Sequence, residues 1–309
     1  MALQLTRIGA GSGAKSLACR PDRVQTRTMT DVAQFDVGEA RLTRVAYFDI
    51  GLDLAVAKLT PELVQSAIEW AVPTWVTPGQ VLVGQVLWVI ESQGTVIVVD
   101  PCGASDAFLR TGPEAIGHQE AMLAAMAAAG FPPERVDVVV LTHLDGIGMA
   151  AVVDADGSWH PAFPKARIVM TQLELDYLAS TPDEVSGLDA LNELIAQGAV
   201  DGVEGDHRFS DEVAFRFTGG HTPGHAVVEV VSGDERAVLI GHLSISPVIV
   251  VADQVVATHD DDVAGQAALR GEVDAAAEHG SLVIGPLWPY PGAARVTSTD
   301  PYRLEPATS

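Results

Sequence analysis

From residue 40 onward, short segments with the two-residue period of β-strands alternate with alanine-rich segments of helical length, which restricts the chain to a layered α/β fold. The most restrictive segment is 136–141, which is apolar at every position except Asp137. Such a segment is typical of a strand that is buried on both faces. It follows a segment rich in alanine and methionine, 118–129, which ends before Gly130 and two prolines, as a helix does. We therefore expect a sheet that is covered on both faces.

Further strands and helices are predicted in both halves of the chain. The predicted strands lie at 41–48, 85–90, 95–99, 136–141, 167–171, 213–217, 226–231, 237–240 and 281–284, and the predicted helices at 118–129, 173–179, 187–197 and 263–279. Residues 91–94 carry the signal of a hairpin turn between two of these strands. Because each half contains strands and helices, we expect two sheets that lie face to face beneath outer helices.

The composition excludes several classes of protein. The chain has 309 residues, of which 48% are hydrophobic, so it can bury a sizeable core. Its net charge of -23 argues against a protein that binds nucleic acid. Two cysteines are too few for a disulfide framework or a thiolate metal cluster. No segment approaches the apolar length of a membrane span. We therefore expect a cytoplasmic protein that acts on a small molecule and does not bind a membrane.

The first residues differ in character from the remainder. Residues 1–28 hold five basic residues and one acidic residue, with no sustained apolar period. No proline- or serine-rich linker long enough to separate two domains divides the later residues. We therefore expect residues 1–30 to form a disordered basic tail and residues 31–309 to form a single domain.

Several of the nine histidines follow predicted strands and stand beside glycine or aspartate. Irregular backbone at a strand end can present such side chains to a cleft. The relevant segments are 98–103 (VVDPCG), 141–148 (LTHLDGIG), 219–225 (GGHTPGH), 239–242 (LIGH) and 285–292 (GPLWPYPG).

In this order the segments resemble the metallo-β-lactamase superfamily, particularly its branch of methyl parathion hydrolase-like enzymes and lactonases, from about residue 80 to about residue 297. The resemblance implies an αββα sandwich, in which two mixed β-sheets lie face to face under outer helices. It also implies a mono- or dinuclear metal site, often of zinc, at one edge of the sheets. In this family the ligands are a His-x-His-x-Asp-His run, a histidine of the TPGH region, a bridging aspartate after glycine, and a late histidine.

The chain departs from that ligand pattern at most positions. Only His143 remains of the three histidines of the run, as its first or its second, and Gly146 stands where the last is expected. His221 matches the histidine of the TPGH region. His242 stands in place of the bridging aspartate, and Leu287 in place of the late histidine. A dinuclear site therefore loses the carboxylate that would bridge two dications.

Four residues remain as candidates for the chemistry: His143, Asp145, His221 and His242. Without a full ligand set we expect no cofactor, and these residues would act as general acid and base. Alternatively, three histidines and one carboxylate suit a single zinc ion.

Residues near these motifs divide into candidate substrate contacts and structural groups. Cys102, Trp288 and Tyr290 are predicted to contact substrate, the two aromatic residues as a wall of the cleft. Asp100 is predicted to bond loop amides or a neighbouring histidine. His225 is predicted to belong to the hydrogen-bond network of its turn.

Three functions are compatible with this pattern. The first is an enzyme that is independent of metal or poor in metal and uses histidine acid–base chemistry, such as a lyase, isomerase, cyclase or decarboxylase. The second is a mononuclear zinc hydrolase of an ester or lactone, and the third is a binding protein without catalysis. A homodimer is expected to be possible from the resemblance.

Overall fold

The fold of the chain consists of two β-sheets with helices on their outer faces. The computed structural model describes residues 32–53, 59–62, 64–65, 71, 75–77, 79–101, 113–143, 150–180, 187–251 and 262–308, so the predicted basic tail lies outside the described residues. The strands are β1 (Ala33–Val37), β2 (Ala40–Asp53), β3 (Val76–Thr77), β4 (Gln80–Ser92), β5 (Thr95–Val99), β6 (Val138–Val140), β7 (Ala151–Val153), β8 (Trp159–Pro161), β9 (Arg167–Thr171), β10 (Val200–Val203), β11 (His207–Arg208), β12 (Val213–Phe217), β13 (Ala226–Ser232), β14 (Glu235–Leu239), β15 (Leu282–Ile284), β16 (Ala293–Thr299) and β17 (Tyr302–Pro306). The α-helices are α1 (Pro113–Ala128), α2 (Gln172–Ser180), α3 (Leu188–Ala196), α4 (Pro247–Val251) and α5 (Asp262–His279).

Both sheets are mixed. The first has the order β1-β2-β4-β5-β6-β9-β10, with β3 paired to β4. Its neighbours β5, β6, β9 and β10 run parallel, and the other pairs are antiparallel. The second sheet has the order β11 to β17, in which only the β14–β15 pair is parallel. Strands β7 and β8 form a separate antiparallel ribbon.

The central strands are buried on both faces, as the sequence predicts. Along β4, Trp88 and Ile90 belong to the core between the two sheets, whereas Leu87 and Val89 belong to the core on the outer face. This alternation follows from the two-residue period of a strand. The outer core also contains Met122 of α1 and residues of α2 and α3, so these helices cover the first sheet.

The second sheet is covered in the same way by α5. Val228 and Leu239 face the core between the sheets, whereas Val227 and Val238 face the outer core together with Val273 of α5. The layers therefore follow the order α-β-β-α, which confirms the predicted αββα sandwich. None of the described helices has the length and apolar character needed to cross a membrane.

The observed elements differ from the predicted ones mainly in their bounds. The hairpin turn between β4 and β5 is made by Gln93 and Gly94, both with positive φ (51° and 83°), as a tight two-residue turn requires. The predicted strand 136–141 is regular only over Val138–Val140, and the Asp137 carboxylate accepts a hydrogen bond from Val96 N–H (2.9 Å). Strands such as β7, β8 and β11 are too short for a periodic pattern to predict them.

Candidate metal centre

The candidate site lies at one edge of the sandwich, where strands of both sheets end. Strands β5 and β6 run parallel, so their carboxyl ends meet at the same edge. Asp100 follows β5, and His143 follows β6 by three residues. His242 follows β14 of the other sheet. A hydrogen bond from Ala226 N–H, at the start of β13, to the Thr142 carbonyl (3.1 Å) joins the two sheets here.

Three of the four predicted catalytic residues, all of them histidines, converge at this edge. Each of His143, His221 and His242 offers a nitrogen, and these three ligand atoms lie within 4.8 Å of one another. The ring centroids are 4.9 Å apart for His143–His221, 5.2 Å for His143–His242 and 4.9 Å for His221–His242. His143 and His221 are buried, whereas His242 is partly exposed. The cluster therefore combines two buried histidines with one that is partly exposed.

A chain of hydrogen bonds orients the ring of His143. The Thr142 hydroxyl donates to Asp100 Oδ2 (2.7 Å), and Thr142 N–H donates to Asp100 Oδ1 (2.8 Å). Since its single proton is used in this way, the Thr142 oxygen accepts from His143 Nδ1–H (3.1 Å). In this tautomer the lone pair with which a neutral imidazole binds a metal lies on Nε2 of His143. The predicted structural role of Asp100 is confirmed by these bonds.

The carboxyl group of Asp100 is buried, and burial raises its pKa to about 6. The hydrogen bonds from Thr142 and the nearby His242 act in the opposite direction, because both favour the charged form. Asp100 is also held at a positive φ of 39°. Strained backbone of this kind persists only where the surrounding structure fixes it.

His225 packs against two histidines of the cluster, His143 and His221. The Thr218 hydroxyl donates to the His225 carbonyl (2.9 Å) and therefore accepts from His225 Nδ1–H (2.8 Å). Burial lowers the pKa of His225 to about 3, so its ring is neutral at physiological pH. Its ring centroid lies 5.3 Å from that of His143 and 5.7 Å from that of His221. The prediction that His225 belongs to the hydrogen-bond network of its turn is confirmed.

A glycine at position 241 permits this close arrangement. Gly241 has a positive φ of 55°, and a Cβ atom there would lie 2.4 Å from His225 Nε2 and 2.8 Å from Thr142 Oγ1. Both distances are shorter than real Cβ contacts. The backbone that leads from β14 to His242 can therefore approach the histidines only because residue 241 has no side chain.

The remaining predicted site residues lie either outside the described residues or in the core. Asp145 and Cys102 lie outside the described residues, so their roles stay predictions. Trp288 has no exposed surface, and its indole N–H donates to the Ser244 carbonyl (3.0 Å). It lies in the core against helix α5 and does not form an exposed wall of a cleft. Tyr290 is half-buried and packs against the core between the sheets.

One buried acidic residue of the site was not predicted from the sequence. Glu174, in the first turn of α2, has no exposed surface and accepts hydrogen bonds from the turn that carries His221. Its signal in the sequence is Thr171-x-x-Glu174, the capping-box pattern that begins many helices. The pattern predicts a helix start, but the contact with a turn of the other sheet appears only in the structure.

The three-histidine cluster fits a zinc ion. In a tetrahedral site with Zn–N bonds of about 2.1 Å, the ligand nitrogens are roughly 3.4 Å apart. The observed limit of 4.8 Å exceeds this value by about 1.4 Å at most. Three neutral imidazoles are also donors that zinc prefers.

Comparison with solved structures identifies several proteins with the same fold. The chain superposes on AidC, a dizinc quorum-quenching lactonase, with a TM-score of 0.71, 18% identity, and coverage of 91% of this chain and 99% of that chain. For the hydrolase AbOPH of the beta lactamase superfamily the values are 0.72, 19%, 92% and 99%. For a probable metal-dependent hydrolase from Staphylococcus aureus they are 0.67, 16%, 89% and 99%. No protein-family model matches the chain, and no curated protein is significantly similar to it.

These findings correct the expectation that the site needs no cofactor. A neighbour with the same fold is a dizinc enzyme, and the described histidines form a group that can hold a metal ion. The expectation was wrong because His242, at the position where the resemblance implies a carboxylate, still offers a ligand atom. With two mixed sheets between outer helices and its histidines at the strand ends, the chain has the metallo-β-lactamase fold.

Proposed function

We propose that this chain is a mononuclear zinc hydrolase of an ester or a lactone, with His143, His221 and His242 as protein ligands. The observation that carries the proposal is the convergence of their three nitrogens within 4.8 Å at one edge of the sheets. Structural zinc sites use four protein ligands, whereas catalytic sites use three and leave one position open. Among the described residues the set consists of three histidines, which favours a catalytic site over a structural one.

The chain's own residues prepare this site. Asp100 and Thr142 fix the tautomer of His143, so that its Nε2 atom carries the lone pair. His143 and His221 are buried, and His242 is partly exposed. A bound zinc ion would supply Lewis-acid activation of water and of a carbonyl oxygen.

The proposed substrate class follows from the named neighbours. AidC is a lactonase and AbOPH is a hydrolase, and both share the fold over most of this chain. Asp145, two residues after His143, stays a predicted fourth ligand or acid–base group, and Cys102 and Tyr290 stay predicted substrate contacts. The cytoplasmic location and the homodimer likewise stay predictions.

Metal analysis and hydrolysis assays test the proposal together. The chain is purified without chelators, its metal content is measured by mass spectrometry, and turnover of an acyl-homoserine lactone and an aryl ester is followed. We expect about one zinc ion per chain, as a three-ligand site holds. His221→Ala and His242→Ala should each lose both zinc and turnover.

A matched control is available in the same chain. His160, on β8, is exposed and pairs with Asp154 (2.9 Å), away from the cluster. His160→Ala should keep zinc and turnover. A wild-type chain that binds no zinc after zinc loading would refute the proposal. Turnover that survives complete removal of zinc would favour the metal-independent acid–base alternative.

A further inference from the structure

The backbone of His221 is strained, and the fold must hold it in place. His221 has a φ of 75°, in the left-handed region that residues with a Cβ atom rarely adopt. Such a conformation persists only where neighbouring groups fix it. The position of this histidine therefore depends on the contacts of residues 219–225, which we call the His221 turn.

Helix α5 confines the His221 turn on one side. A Cβ atom at Gly220 would lie 2.6 Å from the Ala264 carbonyl oxygen, and one at Gly265 would lie 3.1 Å from His221 N. The two backbones are thus in direct contact, because both positions lack side chains. This contact limits where the turn can move.

Helix α2 supplies the directional bonds on the other side. Glu174 Oε2 accepts from the Thr222 hydroxyl (2.8 Å) and from Gly224 N–H (3.1 Å). The Thr171 hydroxyl donates to the Gly224 carbonyl (2.6 Å) and accepts from Glu174 N–H (3.1 Å). Both polar groups of the Gly224 backbone are therefore held by the start of α2.

The burial of Glu174 is unusual for a group with this charge. Its side chain has no exposed surface, and a buried carboxylate is unfavourable unless it is hydrogen-bonded. Its place in the first turn of α2 partly compensates, because the helix dipole favours negative charge there. Its two identified bonds to the turn both go to residues within three positions of His221.

We propose that Glu174 is a positioning residue, which fixes the His221 turn so that the His221 imidazole points at the metal centre. The inference rests on the proposed function, since it assigns Glu174 a role in zinc affinity. The ligand histidine follows the first contact of the turn with α5 and precedes its bonds to Glu174. Without Glu174, the strained backbone at His221 would relax and withdraw one of three ligands.

The test measures zinc affinity separately from activity. Zinc dissociation constants are determined by competition with a chromophoric chelator for the wild type and for Glu174→Ala. Partners that orient metal ligands typically change metal affinity by about 10- to 100-fold, and we expect a loss in this range. Glu174→Gln should recover most of the affinity, because one amide oxygen can accept both bonds that Oε2 accepts.

Glu212 provides a control of the same residue type. It is also buried and accepts hydrogen bonds from Ser92 (2.6 Å) and Ser232 (2.5 Å). Ser232 ends β13, whereas Ala226, beside the cluster, begins it, so Glu212 lies at the opposite end of the sandwich. Glu212→Ala should lower the stability of the fold and leave the zinc dissociation constant unchanged within about twofold.

The outcomes distinguish the inference from the proposed function. If the wild type binds zinc and Glu174→Ala binds it equally well, the positioning role is refuted and the proposed function stands. If Glu212→Ala weakens zinc binding as much as Glu174→Ala, the effect is general destabilisation and the inference is also refuted. If the wild type binds no zinc, both fail. If Glu174→Ala does not fold, Thr222→Val is used in its place, because this change removes one donor to Glu174 and keeps the carboxylate. An unchanged zinc dissociation constant in Thr222→Val refutes the positioning role.

Discussion

The close approach of Gly241 to the histidines predicts a large cost for adding a single methyl group. In Gly241→Ala the new Cβ atom would lie 2.4 Å from His225 Nε2 and 2.9 Å from His225 Cε1, and 2.8 Å from Thr142 Oγ1. The atoms that would have to move belong to fully buried side chains, which are held by hydrogen bonds to Thr218 and Asp100. They cannot give way as an exposed flexible side chain would.

Two effects add to the predicted loss of stability. A residue with a Cβ atom in the left-handed region costs about 1–2 kcal/mol. Overfilling a closely packed interior costs about 1–3 kcal/mol. We therefore expect Gly241→Ala to lower the free energy of unfolding by about 2–5 kcal/mol in total.

The assay is urea unfolding of the metal-free protein, with Gly280→Ala as the control. Gly280 has a φ of 64°, similar to the 55° of Gly241, but a Cβ atom there meets nothing within 4 Å. The control should therefore show only the backbone cost of about 1–2 kcal/mol. Equal losses for the two variants would refute the idea that contact with His225 and Thr142 requires glycine at position 241.

Two further predictions concern the metal and the buried glutamate. After removal of metal by a chelator, zinc or cobalt(II) should stabilise the fold and so raise its melting temperature. At a thousandfold excess over the Kd, the free energy of unfolding should rise by up to about 4 kcal/mol. Magnesium or calcium should not stabilise the fold, because the ligands are nitrogens. Equal stabilisation by magnesium would contradict the nitrogen-donor site. The hydroxyls of Ser232 and Ser92 hold the pKa of Glu212 below its ordinary value of 4.5, so the folded state favours the charged form. In urea titrations, the free energy of unfolding of the wild type should therefore exceed that of Glu212→Gln by its largest amount above this pH, and the difference should shrink as the pH falls below it. A difference that grows in acid would contradict the direction of the shift.

The layers of the fold could be predicted from the sequence because the spacing of apolar residues along a segment indicates which of its faces are buried. The apolar segment 136–141 predicts a strand covered on both faces, and in the structure Val139 lies in the outer core whereas Val140 lies in the core between the sheets. The meeting of His143 with His242 is expected only from the resemblance, which implies ligands at one edge of the sheets, because the two residues follow strands of different sheets.

Contacts between distant segments could not be predicted in the same way. The bond between Thr222 and Glu174 joins residues 48 positions apart, and nothing in either local pattern indicates the other. Trp288 was predicted as a wall of the cleft because its segment borders the cleft in the resembling family. The structure instead directs its indole into the core, towards the Ser244 carbonyl, because an indole N–H that is buried needs an acceptor. Residue type indicated an apolar surface but not the direction in which the side chain points.

The histidine at position 242 determines how many dications the described part of the site can hold. A bridging carboxylate offsets charge and binds two ions, whereas an imidazole is neutral when it binds a metal and serves one ion. Asp100, a buried carboxylate near His242, uses Oδ1 for Thr142 N–H and Oδ2 for the Thr142 hydroxyl, so it orients a ligand. Under the proposed function, His242 therefore supplies a third ligand for one ion among the described residues, without the charge of the carboxylate that the resemblance implies at its position.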